Sequence, residues 1–245
     1  MIINAEFKEV GDILNADFGI VMISTEGGDT ETAYKKGFEA GKKEEYDAFW
    51  DNYQDYGNRT DYSRAFGNEG WTEKTFRPKY NIVDNSGYMT FRNSQIKVDL
   101  VAYLDSLGVE LIANMSTNPT QTFMNSLFTR LGVLSFDTSN QLSQTFAGCP
   151  NLETIDKIVS YSRTSYASNT FSGCTALKNI TFDGEINTNI NISACSLLTH
   201  DSLMSIIDHL STTSTTKTLT LHANSKAILS NEEKAIATGK GWTIA

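Results

Sequence analysis

The chain has 245 residues, of which 40% are hydrophobic and 20% are charged, so it can bury an apolar core without disulfide cross-links. Its net charge of −9 argues against non-specific binding to nucleic acid or to anionic membranes, because both need a surplus of Lys and Arg. Three cysteines leave at least one thiol unpaired, which favours reduced thiols over a disulfide framework.

The first residues predict neither a secretory signal nor a membrane anchor. Glu6, Glu9 and Asp12 lie where a signal peptide would carry positive charge and then an apolar stretch. The apolar run at residues 20–23 is far shorter than the roughly 20 residues that a membrane-spanning helix needs. We therefore expect no membrane insertion, and a location in the cytoplasm or a release by a route such as cell lysis.

The N-terminal region predicts a strand followed by a long helix. The strand covers residues 18–24, FGIVMIS, which are rich in apolar and β-branched residues. A helix capped by Asp29, Thr30 or Thr32 runs to about residue 53, with an aromatic stripe at helical spacing. We interpret it as the cover of a core. The alternative is a contact between copies in a homo-oligomer, since Gly37 and Gly41 would let another backbone approach closely.

The segment from about residue 55 to residue 81 is rich in large aromatic side chains. Disordered linkers lack such residues, so we expect these rings to pack as a cap. They are Tyr56, Tyr62, Phe66, Trp71, Phe76 and Tyr80.

An internal repeat begins near residue 120. TFAGCPNLETI at residues 145–155 aligns with TFSGCTALKNI at residues 170–180, so that Thr, Phe, Gly, Cys, Leu and Ile recur after 25 residues. Weaker copies lie around Phe91, at Phe123 with Ser126 in the Cys position, and from Ile192 onwards. A period of 20–29 residues with Leu and Ile at fixed offsets is that of a leucine-rich repeat.

Each repeat is expected to turn its apolar side chains inward and to stack on its neighbour, with about 4.8 Å between adjacent coils. The three cysteines would then lie one above another as small buried residues at a tight turn, with a disulfide or a metal site as alternatives. The predicted structural repeat positions are Phe123, Phe146, Cys149, Leu152, Ile155, Phe171, Cys174, Leu177, Ile180, Cys195 and Leu198.

These F-x-G-C-x-x-L-x-x-I units resemble the BspA-like, or Treponema-type, leucine-rich repeats of bacterial surface proteins, over about residues 85–198. The segment KKGFEAGKKEEYDAFWDNYQDYGNRTDYSRAF, followed by GWTEKTFRPKYNI, is similar to proteins of gut Firmicutes and their prophages. The opening EFKEVGDILNADFGIVMIS is similar to the N-termini of phage tail and baseplate-associated proteins. BspA-like surface proteins normally carry an export signal, and this sequence predicts none. A virion location needs no signal peptide, so we expect a virion rather than a cell-wall location.

The C-terminal residues predict an α/β cap for the last coil. A helix from Thr199 or Asp201 has an apolar stripe that ends at Leu210, and a short strand follows at residues 218–221. A second helix is predicted at residues 224–237 and a last strand at residues 242–244. The expected fold is α/β: an N-terminal attachment region at residues 1–80, with its strand, amphipathic helix and aromatic cap, a short leucine-rich-repeat solenoid at residues 81–198, and a cap at residues 199–245.

No motif for catalysis, cofactor or metal binding is present. The chain has no G-x-S-x-G, H-E-x-x-H or C-x-x-C, and its three histidines have no Cys or carboxylate at ligand spacing. We therefore expect no enzyme and no cofactor. A glycan hydrolase with two inward-facing carboxylates is the alternative from another class.

The expected function is recognition at the surface of the solenoid. Tyr161, Arg163 and Tyr166 lie between two repeat motifs and combine aromatic rings with hydrogen-bonding groups, so they are the candidate ligand-binding residues. The expected ligand is a host-surface protein or glycan, and residues 1–80 would attach the chain to other virion or tail proteins. The alternative function is that of a bacterial cell-surface BspA-like adhesin.

Overall fold

The computed structural model describes residues 13–16, 20–23, 66, 73, 76–78 and 81–245. The chain divides into two compact units, Met1–Asn58 and Arg59–Ala245. In the first unit, β1 (Ile13–Ala16) pairs antiparallel with β2 (Ile20–Ile23). Strand β2 lies within the strand predicted at residues 18–24, and β1 is an additional strand. The predicted helix that carries Gly37 and Gly41 lies outside the described residues.

The second unit is α/β, and its larger sheet has five parallel strands in chain order. They are β3 (Ile82–Asp84), β4 (Leu111–Asn114), β5 (Arg130–Phe136), β6 (Thr154–Ser160) and β7 (Asn179–Gly184). Leu131 pairs with Ile155, and Ile155 pairs with Ile180. These steps of 24 and 25 residues match the 25-residue spacing of the two strongest sequence repeats to within one residue.

The smaller sheet belongs to the C-terminal part and is also parallel. Its strands are β8 (Ile190–Ile192), β9 (Lys217–Leu221) and β10 (Trp242–Ile244), with β9 in the middle. The described helices of this unit are α1 (Leu100–Ser106), α2 (His200–Asp208), α3 (Ala223–Ile228) and α4 (Asn231–Gly239). None of the helices in the described ranges is both long and apolar enough to cross a membrane.

The structure corrects the prediction of one helix at residues 224–237. Leu229 is extended and separates α3 from α4. Ser230 begins α4 with a capping box, in which its hydroxyl accepts from the Glu233 N–H and the Glu233 carboxylate accepts from the Ser230 N–H. This reciprocal pairing stabilises a new helix start at Ser230. The predicted start of α2 is confirmed, because Thr199 is its N-cap.

A stack of five phenylalanine rings forms the centre of the second unit. Ring centroids are 5.1 Å apart from Phe66 to Phe91, 5.5 Å from Phe91 to Phe123, 5.8 Å from Phe123 to Phe146 and 5.3 Å from Phe146 to Phe171. All five side chains are fully buried, and all of the predicted structural repeat positions are buried as well. Because Phe66 belongs to this stack, at least that ring of the aromatic segment packs as predicted.

Backbone hydrogen bonds join each ring's residue to the next level of the stack. The N–H of Phe91 donates to the carbonyl of Thr122 at 2.7 Å, and the N–H of Phe123 donates to that of Thr145 at 2.9 Å. The N–H of Phe146 continues the series to Thr170 at 3.0 Å. Backbone groups that are buried by the stack thereby stay paired, as buried polar groups must.

The turn after each stacked ring needs a left-handed backbone. The residue two positions after the ring has a φ of 60° at Asn93, 56° at Asn125, 69° at Gly148 and 76° at Gly173. Glycine and asparagine tolerate this conformation better than other residues. The glycine of the F-x-G-C motif is therefore explained by backbone geometry.

The interval of 32 residues between Phe91 and Phe123 exceeds the other intervals because it contains helix α1. This helix was not predicted. Asp99 caps it, and Leu100 and Leu104 are buried beneath it. The insertion lengthens one level without interrupting the stack of rings.

Helix α2 lies where a further strand would pair with β7. The hydroxyl of Ser202 accepts a hydrogen bond from the N–H of Ile180 at 2.9 Å, and the hydroxyl of Ser205 accepts one from the N–H of Phe182, also at 2.9 Å. Two serine hydroxyls of the helix thus provide hydrogen-bond acceptors for the outward-facing N–H groups of the last strand. An edge strand covered in this way cannot pair with another chain there.

Candidate ligand-binding surface

The solvent-facing side of the five-stranded sheet carries pairs of opposite charges on neighbouring strands. Arg130 makes two hydrogen bonds to the carboxylate of Asp156, at 2.7 and 2.8 Å, and its Nη1 lies 3.5 Å from Asp99. The hydrogen bonds to Asp156 raise the pKa of the Arg130 guanidinium. Lys157 and Asp183 form a looser pair at 3.6 Å. The charges on this face are therefore locally balanced, and the bidentate pair has a fixed geometry.

At the carboxyl ends of β5 and β6, four side chains form what we call the strand-end surface: Ser135, Asp137, Tyr161 and Arg163. Arg163 Nε donates to Asp137 Oδ1 at 2.7 Å, and Nη2 donates to the Asp137 carbonyl at 2.8 Å. The Ser135 hydroxyl lies 3.4 Å from the Tyr161 hydroxyl. The side chain of Tyr161 is 42% exposed, so its ring is available to a ligand.

A buried threonine holds the turn that presents Tyr161. The Thr164 hydroxyl accepts from the Tyr161 N–H at 2.9 Å and donates to the carbonyl of Phe136 on the neighbouring strand. Since Thr164 is only 1% exposed, these bonds lie away from water. The strand-end surface is thus built on a turn that is bonded to the sheet, which limits the entropy lost on binding.

The third candidate, Tyr166, lies inside the protein. Its ring packs against Phe171 and Phe182, with centroids 6.5 and 6.2 Å away, and its hydroxyl hydrogen-bonds to Ser160. Burial raises the pKa of this phenol well above its usual range. The structure therefore brings Tyr161 and Arg163 together at the surface and places the ring of Tyr166 where it cannot stack on a ligand. Ligand binding by Tyr161 and Arg163 stays a prediction.

The partners of Tyr161 and Arg163 were not found from the sequence, although the repeat contains a signal for them. Ser135 lies 26 positions before Tyr161, and Asp137 lies 26 positions before Arg163. Because β5 and β6 pair in parallel, residues about 25 positions apart at their carboxyl ends lie side by side, so their side chains can meet.

The three cysteines form a buried column of free thiols. The thiol of Cys149 donates to the Phe123 carbonyl at 2.9 Å, and that of Cys174 donates to the Phe146 carbonyl at 3.0 Å. Burial raises the pKa of Cys149 to about 11 and that of Cys195 to about 12. Neutral, inaccessible thiols are poor nucleophiles and poor metal ligands.

One histidine has a carboxylate partner that sequence spacing did not reveal. His200 Nε2 lies 2.7 Å from Glu233 Oε1, and this contact joins α2 to α4. The Ser230 backbone N–H and the contact with His200 lower the pKa of Glu233. Within the described residues, no group of three or more His, Cys, Asp and Glu side chains is arranged to hold a metal ion.

Comparison of the chain with known protein families, with curated proteins and with solved structures gave no match.

Proposed function

We propose that residues 81–198 form a short leucine-rich-repeat solenoid of the BspA-like type and that the chain is a non-enzymatic recognition module. The agreement between the period of the F-x-G-C motif and the steps of the ring stack supports the solenoid. Successive levels of a solenoid place equivalent side chains side by side, which builds an extended surface for recognition.

The strand-end surface is the proposed contact with a host-surface protein or glycan. The single observation that carries this assignment is the exposed ring of Tyr161 beside the Arg163–Asp137 ion pair, on a turn that Thr164 fixes. Tyr and Arg contribute most to many interfaces, because they combine a large contact area with directional hydrogen bonds.

Binding of purified full-length protein to intact host cells tests this contact. We expect Tyr161→Ala and Arg163→Ala each to weaken binding about ten-fold, as the loss of an interface anchor would. Lys178→Ala is the matched control, because Lys178 also forms an exposed ion pair, with Glu153 at 2.9 Å. Unchanged binding in both strand-end variants would remove this surface from the proposal.

The proposed location is the tail of a phage or prophage, with residues 1–80 attached to other virion proteins. The resemblance of the opening residues to tail and baseplate-associated proteins supports this location. Mass spectrometry of particles purified from an induced lysogen should detect the chain. If the chain is missing from the particles and is cleaved by protease on intact, uninduced cells, the function is instead that of a cell-surface adhesin.

A further inference from the structure

A groove of about 540 Å³ lies on a part of the surface different from the strand-end surface. We name it the amide–hydroxyl groove and define it by Ser168, Asn169, Asn189, Asn191, Thr218 and Thr220. It also includes Gln141 and Ser143 from the preceding level and one edge of Tyr166. Its volume is within the range of sites for small ligands.

The lining contains amides and hydroxyls but no charged side chain. A cationic ligand would find no carboxylate in the groove, and an anionic ligand would find no Lys or Arg. The lining therefore suits a ligand without charge.

Three asparagines that line this groove have their side-chain oxygens held by backbone N–H groups. Asn189 Oδ1 accepts from the Thr218 N–H at 2.8 Å, and Asn191 Oδ1 accepts from the Ser193 N–H at 3.0 Å. Asn169 Oδ1 accepts from the Gln144 N–H at 3.3 Å. Because an N–H can donate only to the oxygen of an amide, these bonds leave each Nδ2 group facing away from its anchor. In the part of the chain that the structure describes, the three Nδ2 groups have no hydrogen-bond partner.

Three of the hydroxyls that line the groove also lack a hydrogen-bond partner among the described residues. Thr218 and Thr220 lie on the same face of β9, because Leu219 and Leu221 between and beyond them are buried. Neither threonine hydroxyl nor that of Ser168 makes a hydrogen bond within the described ranges. A second cavity, of about 100 Å³, shares Ser168 and Asn191 and lengthens the row of polar groups.

We propose that the amide–hydroxyl groove binds a neutral oligosaccharide. Sugar hydroxyls both donate and accept hydrogen bonds, so they match a lining of amides that can donate and hydroxyls that can do either. A peptide is a poorer match, because peptide recognition relies on apolar anchors and the groove offers little apolar surface. The proposal concerns a different surface from the strand-end contact and stands without it.

The test is an array of neutral and anionic oligosaccharides probed with the full chain, followed by calorimetric titration of the tightest neutral glycan. Maltohexaose and chitohexaose represent neutral chains, and oligogalacturonate represents an anionic chain. The double variant Thr218→Val/Thr220→Val removes two hydroxyls that make no bond within the protein and keeps β-branched side chains on the strand, so it should fold. We expect it to bind the glycan at least ten-fold more weakly.

Lys178→Ala serves as the control, because its ion pair with Glu153 involves no residue of the groove lining, and it should bind the glycan like the unmodified chain. Ser168→Arg places a long side chain at the groove. Like the double variant, it should weaken binding of the glycan. Binding to anionic glycans alone, binding to none of the array, or binding by both groove variants that is as strong as that of the unmodified chain would overturn the proposal. If the strand-end variants bind host cells as well as the unmodified chain does, the strand-end assignment fails but the proposal for the groove is unaffected. The two assignments can therefore fail separately.

Discussion

Two kinds of residue determine how the chain packs in the second unit: the stacked phenylalanines and the turn residues with left-handed backbone conformation. The rings exclude water from the interior, and the turn residues let the chain reverse direction after each ring. Apolar burial and backbone conformation therefore act at neighbouring positions of the same motif.

Replacement of Phe171 by Ala should lower the free energy of unfolding by about 3–5 kcal/mol. The ring is fully buried and stacks 5.3 Å from Phe146, so its removal leaves a cavity that its neighbours cannot fill. Urea denaturation monitored by circular dichroism measures the loss. Leu197→Ala is the control, because Leu197 is 50% exposed and should change stability by less than about 0.5 kcal/mol. A loss below about 1 kcal/mol at Phe171 would contradict its role in the stack.

Gly148→Ala should be more destabilising than Gly108→Ala. Both glycines have a positive φ, which costs an alanine about 1–2 kcal/mol. A Cβ on Gly108 meets nothing within 4 Å, whereas one on Gly148 would lie 2.1 Å from Asn125 Oδ1. Asn125 would have to move and give up its hydrogen bond to Asn93, which adds about 1–3 kcal/mol. Equal losses in thermal denaturation of the two variants would show that the levels are not packed this closely.

The elements after residue 198 could largely be predicted because strong local patterns encode them, whereas the strands of the larger sheet and helix α1 were not located from the sequence. The repeated Phe, Cys, Leu and Ile positions indicated the stack, and the strand at residues 218–221 is confirmed by β9. Phe66 was assigned only to the aromatic segment, although it lies 25 positions before Phe91, because no Thr or Cys accompanies it. The break between α3 and α4 was missed because the S-x-x-E capping signal at Ser230 lies within a helical pattern. The amide–hydroxyl groove could not be predicted, since its residues come from segments that meet only in the folded chain.

At the scale of elements, helix α2 has two roles, and a different face of the helix serves each of them. Its apolar face buries Leu203, Ile206 and Ile207, and its hydroxyls bind the backbone of β7. A strand could have paired with β7 in the usual way, but it would in turn have left an open edge. The helix ends the sheet because its own backbone is already hydrogen-bonded.

Ser202→Ala should lower the free energy of unfolding by about 1–3 kcal/mol, because it leaves the N–H of Ile180 without a partner in a buried position. The Ser202 hydroxyl also donates to the Lys178 carbonyl at 3.2 Å and accepts from the Thr199 hydroxyl at 3.0 Å, so three bonds are lost. Chemical denaturation measures this loss. Thr212→Ala is the matched control, since that hydroxyl is exposed and unbonded within the described residues. Faster exchange of the Ile180 amide in Ser202→Ala would locate the effect at this strand.

At the scale of the whole molecule, one column of side chains passes through successive levels. Cys149, Cys174 and Cys195 continue a column that begins with Ser126, whose hydroxyl lies 3.5 Å from the Cys149 thiol. A polar hydrogen at this position can reach the carbonyl of the level before it.

Alkaline pH should destabilise the protein through these thiols. The folded pKa of Cys149 is raised from 9.0 to about 11, so the thiol's contribution to stability is complete below pH 9 and is lost as the pH rises to 11. A shift of this size corresponds to about 3 kcal/mol. Cys149→Ser should therefore lose less stability between pH 8 and 10.5 than the unmodified chain, as measured by urea denaturation at each pH. Identical pH profiles would mean that Cys149 ionises in the folded protein as it does in water.

The cover that α2 provides for β7 also affects how the protein behaves at high concentration. Parallel strands with open edges can recruit identical strands from other copies, and such recruitment is the route to cross-β fibres. Because the N–H groups of Ile180 and Phe182 are already bonded to Ser202 and Ser205, the growing end of the sheet is closed within each molecule. A chain truncated before α2 should therefore aggregate into thioflavin-positive fibrils at concentrations at which the full chain remains dispersed.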